Sequence, residues 1–191
     1  MSSQAVITVE MTRAFELIRS QTGKEDELID ELMKLTQVKD VHLLAGEWDL
    51  MATLTFEKQL VDSREHLVDT VTGRIRRMPL VRDTNTIVPA MSRMKEVRLE
   101  YPERRAYAFV FIKTRPGKQQ EVMGRIMRRK EVVESHLLLG KSDVLVVLEF
   151  EKSAFPSVPE NVARMITEGM ARIKSIVETE TLCPIRSVVK A

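Results

Sequence analysis

The chain carries the same unit twice, and this duplication limits the fold more than any other feature. Shifting the sequence by 94 positions sets Ala14-Phe15 on Ala108-Phe109 and Gly23-Lys24 on Gly117-Lys118. It also sets His42-Leu43-Leu44 on His136-Leu137-Leu138, Gly46 on Gly140, Asp49 on Asp143 and Phe56-Glu57-Lys58 on Phe150-Glu151-Lys152. Over residues 14–58 there are 17 identities in 45 ungapped positions, where composition alone would give about 3. A one-residue insertion near Phe155 changes the offset to 95. Arg77 then meets Arg172, Thr84 meets Thr179, Thr86 meets Thr181 and Pro89 meets Pro184.

The copies also share their periodicity. Leu28, Ile29, Leu32 and Met33 form a helical stripe, repeated by Val122, Met123, Ile126 and Met127. A second helix carries Leu67, Val68, Val71, Ile75 and Met78, and its partner Val162, Ala163, Ile166, Met170 and Ile173. Alternation places Leu50, Ala52, Leu54 and Phe56 on one strand face, as it does Val144, Val146, Leu148 and Phe150. For copy one the pattern predicts strand, helix, strand, strand, helix, strand near 13–20, 24–35, 39–45, 48–57, 61–78 and 80–88. That is the split βαβ, ferredoxin-like order, an α+β fold. The opposite faces are apolar too, with Phe109 and Phe111 alternating with Val110 and Ile112. Two such units are therefore expected to pack sheet to sheet, as in dimeric α/β barrels. The division expected is an extension at 1–13, one domain at 14–89, a linker at 90–105 and a second domain at 106–191. Val6, Ile7, Val9, Val97 and Leu99 are candidates for added edge strands.

Lys and Arg number 30 against 28 Asp and Glu, which argues against bulk electrostatic binding of nucleic acid. A single cysteine, Cys183, excludes an internal disulfide framework and a cysteine-based zinc site. No apolar run is long enough for a membrane span. The opening residues lack a signal-peptide pattern, so a cytoplasmic location without membrane association is expected. No Gly-x-Ser-x-Gly, P-loop or His-Glu-x-x-His motif occurs, and no cofactor is implied.

The segment VHLLAGEWDLMATL, followed by a helix and MPLVRDTNTIVP, resembles the effector-binding (RAM) domain of the Lrp/AsnC regulators. Gly46, Trp48 and Asp49 fit the family's Gly-x-x/aromatic-Asp pattern, and Thr84, Thr86 and Val88 fit its final strand. Copy two keeps Gly140, Asp143, Thr179 and Thr181 but has Lys141-Ser142 where an acidic and an aromatic residue are usual. The resemblance covers about 14–89 and 108–185. It implies a tandem ligand-sensing module that binds an amino-acid-like effector where subunits meet. It also implies homo-oligomers and a pairing with full-length Lrp/AsnC regulators. The family's helix-turn-helix has no counterpart in the dozen residues before copy one, so direct DNA binding is not expected.

Ligand-binding candidates are Gly46, Glu47, Trp48, Asp49 and Thr86, with Gly140, Lys141, Ser142, Asp143 and Thr181. Glycine lets backbone N–H groups approach a carboxylate, and aspartate accepts from an ammonium. The plainer reading is a hairpin turn whose aspartate caps backbone donors, with the threonines as half-buried strand residues. His42 and His136 repeat, but without a third clustered ligand they read as strand residues rather than a metal site. Cys183 aligns with Val88 and reads as a small apolar strand residue. Nothing supplies a clear catalytic pair, so the chain is not expected to be an enzyme, although a small-substrate enzyme of the dimeric α/β-barrel type is one alternative. An RNA-binding strand built on Tyr107, Phe109 and Phe111 is the other, favoured by the segment RAYAFVF.

Overall fold

Alternating strands and amphipathic helices build two antiparallel sheets, each with helices on one face. The computed structural model describes residues 6–7, 12–56, 63–95, 105–152 and 158–190. The chain divides into two compact units. The first unit takes residues 10–88 with 184–191, and the second takes 1–9 with 89–183.

In the first unit the elements are β2 (Thr12–Ser20), α1 (Glu25–Lys34), β3 (Val38–Leu43), β4 (Leu50–Phe56), α2 (Ser63–Val68) and β5 (Val81–Ile87). The late strand β11 (Arg186–Val189) completes a five-stranded sheet ordered β11-β3-β4-β2-β5. The second unit holds β6 (Met91–Lys95), β7 (Arg105–Thr114), α3 (Gln119–Ile126), β8 (Val132–Leu137), β9 (Val144–Glu151), α4 (Val158–Arg164) and β10 (Ile176–Leu182). With β1 (Val6–Ile7) its sheet has six strands, ordered β1-β6-β8-β9-β7-β10. Both units follow the ferredoxin-like order.

The first helix of each copy begins where the sequence marks it. Gly23 and Gly117, at φ +77° and +75°, take the left-handed turn out of the first strand of each copy. Glu25, Asp26 and Glu27 then fill the first turn of α1, where the helix dipole favours acids, and Lys34 closes it. Leu28, Ile29 and Leu32 reach the core with Ala14, Ile18, Leu50, Ala52 and Leu54. Val122, Met123 and Ile126 do the same with Val110, Ile112, Val144 and Val146. Burying each large aliphatic side chain contributes about 1.5–3 kcal/mol. On the opposite sheet faces Phe15, Leu17 and Met51, and Phe109, Phe111 and Leu145, are also buried.

Three expectations change. Val68 is 58% exposed and Ala163 is also exposed. Each follows a buried residue, Leu67 or Val162, and so stands about a quarter-turn off the buried face, just before α2 and α4 widen into π-helical turns at Asp69–Arg74 and Met165–Met170. Second, the presumed linker contains a strand: Met91–Lys95 pairs with β8, and Val6–Ile7 pairs with it in turn. Val9, Val97 and Leu99 lie outside the described residues. Third, the strand that follows each copy joins the sheet of the other copy. β6 covers the edge strand β8, and β11 covers the edge strand β3. The repeat therefore runs further than the last family-like strand. Pro89, Ser92 and Lys95 recur as Pro184, Ser187 and Lys190. The Lys95 ammonium donates to the Arg129 carbonyl, and the Lys190 ammonium to the Leu35 carbonyl, the equivalent position just past each first helix. Burial lowers the Lys95 pKa.

Candidate functional site

The β3–β4 connection of copy one is a short loop tied down at both ends. Leu44 N–H donates to the Asp49 carbonyl at 2.8 Å, and Asp49 N–H donates to Ile18 O at 3.1 Å. Gly46 sits at φ +137°, a conformation closed to other residues without strain. The Asp49 carboxylate faces β2, where Oδ2 accepts from Ser20 N–H at 2.8 Å and from its hydroxyl at 3.2 Å. Copy two repeats this clamp: Asp143 Oδ2 accepts from Thr114 N–H at 2.7 Å and from its hydroxyl at 3.2 Å. In both copies this oxygen does the turn-capping work of the plainer reading.

The loops differ beyond that clamp. Arg19 of β2 reaches across copy one's loop. Its Nε donates to the Glu47 carbonyl at 3.1 Å, and Nη2 pairs with Glu47 Oε1 at 2.8 Å. Its guanidinium lies 4.9 Å from the centre of the Trp48 ring. The ion pair is exposed and worth little alone, and the cation–π contact adds roughly 0.5–1 kcal/mol. Together they fix an indole, a carboxylate and a guanidinium on one loop. Copy two has Lys113, Lys141 and Ser142 at these positions. Thr86 and Thr181 do not join the loops. Thr86 stands opposite Glu16 and Thr181 opposite Val110, and among the described residues no hydrogen bond links either threonine to residues 46–49 or 140–143.

Two features escaped the sequence reading. The first is a hydrogen-bonded chain centred on each buried histidine. His42 Nδ1 lies 2.8 Å from Ser187 Oγ, and Nε2 lies 2.9 Å from Asp40 Oδ1. His136 has the matching set: Ser92 Oγ at 2.8 Å and Glu134 Oε2 at 3.1 Å. The carboxylate accepts from Nε2–H, so in the neutral ring Nδ1 accepts from the serine hydroxyl. The serines come from the exchanged strands, directly opposite the histidines. The signal was present: acid-x-His and the serine recur at the repeat spacing.

The second is Glu16, fully buried on the helix-facing side of β2, where copy two has Val110. Neither carboxylate oxygen meets a donor at close hydrogen-bond distance, and the Thr86 and Thr84 hydroxyls are its weakly bonded neighbours. Burial raises its pKa, and Thr86, Thr84 and Arg76 oppose that rise from nearby.

Tyr107, Phe109 and Phe111 are all at least nine-tenths buried. Base stacking needs open ring faces, so the RNA-binding alternative is set aside. Cys183 is half-buried against the second unit's core, and burial raises its thiol pKa. Among the described residues no three His, Cys, Asp or Glu side chains group as a metal site. No described helix is long and apolar enough to cross a membrane.

The sequence model of the Lrp/AsnC ligand binding domain matches residues 4–99, half of the chain. The chain belongs to the Lrp/AsnC ligand-binding domain family. Domains of this family bind small-molecule effectors and form oligomers. No curated protein matches the sequence. Among solved structures, FFRP-DM1 is 30% identical over 40% of this chain and 96% of its own, with a TM-score of 0.36. The siroheme decarboxylase NirDL, in complex with an iron-uroporphyrin III analogue, is 12% identical; the match covers 96% of this chain and 75% of that one, with a TM-score of 0.62. An anthrone oxidase-like protein is 14% identical over 97% and 96% of the two chains, with a TM-score of 0.54. These last two share the fold. They correct the expectation that the chain is not an enzyme, because a protein with this fold is a siroheme decarboxylase.

Proposed function

We propose that the chain is a tandem ligand sensor whose first unit binds a small amino acid or related metabolite at the Gly46–Asp49 loop. The observation that carries this reading is the asymmetry of the two loops. Both keep the aspartate clamp, but copy one alone adds Arg19, Glu47 and Trp48 held together by direct contacts. A turn needs only the clamp. The added indole, carboxylate and guanidinium offer an apolar face, an ammonium acceptor and a carboxylate donor within one loop. The protein acts in the cytoplasm as an oligomer and pairs with full-length regulators of the family without itself touching DNA. The described residues hold two ferredoxin-like units and no helix-turn-helix.

The test is a melting-temperature screen with the common amino acids. An effector at 100 times its Kd adds about 2.7 kcal/mol. The variant carrying Arg19→Lys, Glu47→Lys and Trp48→Ser gives copy one the loop chemistry of copy two, and it loses the shift. An unchanged shift in this variant, or no shift with any amino acid, removes the reading.

A second reading is a small-substrate enzyme using the Ser187–His42–Asp40 and Ser92–His136–Glu134 chains for acid–base chemistry. It is supported by the likeness to siroheme decarboxylase, which shows the fold alone. Under this reading, replacing His136 abolishes turnover of a substrate that the purified protein converts. Full activity in that variant ends it.

A further inference from the structure

The first helices of the two copies occupy matching repeat positions and carry opposite charge. Residues 24–36, spanning α1, hold five acids against two lysines, a net charge of −3. Residues 118–130, spanning α3 and the turn after it, hold five bases against one acid, a net charge of +4. Both helices bury the same kind of apolar stripe, so the difference lies on their solvent side. Position by position, Asp26 becomes Gln120, Asp30 becomes Gly124, Glu31 becomes Arg125 and Thr36 becomes Lys130. All of these except Gly124 are exposed. Solubility asks for mixed signs on each surface, not for one sign on each helix.

Neither face is neutralised within its own unit. On α1, Glu27 pairs with Lys24 at 2.7 Å and Glu31 with Lys34 at 2.5 Å, while Asp26 pairs with Arg186 of β11. Asp30 has no ion pair among the described residues. On α3, Glu121 is shared by Lys118 at 3.0 Å and Arg125 at 3.1 Å. Arg128, Arg129 and Lys130 follow with no ion pair among the described residues. Exposed pairs of this kind are worth little, so a better partner displaces them. Gly124 gives the basic face its shape. A Cβ there would meet only Arg93 Nη1, at 3.5 Å, so the Arg93 guanidinium lies beside uncovered helix backbone. Arg125 is the next residue, and Arg128 stands one turn further along the same ridge. Three guanidiniums border a notch with no side chain in its floor. Arginine forks hold carboxylates through paired hydrogen bonds, which lysine cannot do.

We infer that α1 of one chain docks on α3 of a second copy, with the ridge of Glu27, Asp30 and Glu31 meeting Arg93, Arg125 and Arg128 around Gly124. The second copy is the occupant because the same sequence carries both complementary faces at equivalent positions, while the whole chain stays near neutral at +2. The two faces differ, so the contact is heterologous, and each chain offers one face of each kind. Charge complementarity speeds encounter and fixes register more than it adds affinity, which makes the contact reversible and sensitive to salt. The Gly46–Asp49 loop supplies none of these residues, so the contact does not rest on effector binding.

The test is sedimentation velocity on the full chain, without effector, at about 50 and 500 mM NaCl. Wild type forms larger species as its concentration rises at low salt, and these dissociate at high salt. Asp30→Arg with Glu31→Arg, or Arg125→Glu with Arg128→Glu, weakens this association about tenfold or more. All four positions lie on exposed helix surface, so both variants keep the circular dichroism and Tm of wild type. Two further results separate docking from a general loss of charge. A chain with all four changes regains association, because its two faces have exchanged sign. The two variants also associate when mixed, although neither does so alone, because one carries only basic faces and the other only acidic ones. The inference is overturned if wild type shows no salt-sensitive association, if either reversal leaves that association unchanged, or if the mixed variants stay apart. It is equally overturned if the basic-face reversal abolishes binding of a DNA duplex while self-association persists, which assigns α3 to a polyanion.

Discussion

Replacing Asp49 by alanine separates the structural role of the loop aspartate from any part it plays in binding. The structure gives its carboxylate two donors, Ser20 N–H at 2.8 Å and the Ser20 hydroxyl at 3.2 Å. The amide bond is the one that counts, because a half-enclosed backbone N–H cannot find another acceptor as easily as a rotating hydroxyl can. Removing an ionised acceptor from such a donor costs about 1.5–3 kcal/mol. The hydroxyl bond is longer and partly replaced by water, so Asp49→Ala should cost about 2–3 kcal/mol in the absence of ligand. Asp143→Ala breaks the same pair of bonds to Thr114 and should cost the same amount. For a chain of this size that is a fall in Tm of roughly 4–12 °C. Urea unfolding followed by far-UV circular dichroism gives the difference directly, with an unchanged slope if only stability moves. The reasoning is refuted if Asp49→Ala unfolds within about 0.5 kcal/mol of wild type, or if the two aspartates differ widely.

Other perturbations test separate parts of the structure. Burial raises the Glu16 pKa above its ordinary 4.5, so the folded chain holds that proton more tightly than the unfolded chain. Stability therefore falls as pH rises through the shifted value. Glu16→Gln removes this slope: it gains on wild type from about pH 4.5 upward and differs little below, as urea midpoints across a pH series will show. Ser187→Ala leaves His42 Nδ1 without its hydroxyl partner and should cost about 1–2 kcal/mol. Ser92→Ala should match it at His136, and both are checked by denaturation. Gly46→Ala forces a side chain into φ +137° and should cost about 1–3 kcal/mol, whereas Gly140, which has no positive φ and open space around it, should tolerate alanine with almost no change in Tm.

Much of the fold was legible because the same constraints are written twice. The glycines at 23 and 117 and the alternation of Leu50, Ala52, Leu54 and Phe56 each have one physical meaning. The helix stripes were readable even through the π turn, where Val71 and Ile75 are buried as expected. Val68 was misplaced because it adjoins the buried Leu67 in sequence while pointing off the buried face. The exchanged strands were missed because β6 and β11 earn their place by pairing, not by composition. MSRMK and RSVV look like linker and tail until their partners are known. The loop residues were legible as a cluster, but their internal economy was not. Sequence could not reveal that Ser20 engages Asp49, or that Arg19 folds over Trp48 rather than into solvent. Glu16 was hidden in a strand read for its apolar neighbours. Its contrast with Val110 was visible, but its burial depends on which face of β2 meets the helices.

The most direct test is fluorescence of the first unit's own reporter. Trp48 is the only tryptophan in the chain and lies within the loop proposed to bind the effector. Titration with the amino acid that raises the melting temperature should give a saturable change in Trp48 emission with the same midpoint, absent when Arg19 and Glu47 are replaced by lysine. An effector that stabilises the protein while Trp48 emission stays flat would contradict the assignment of the loop as the sensing site.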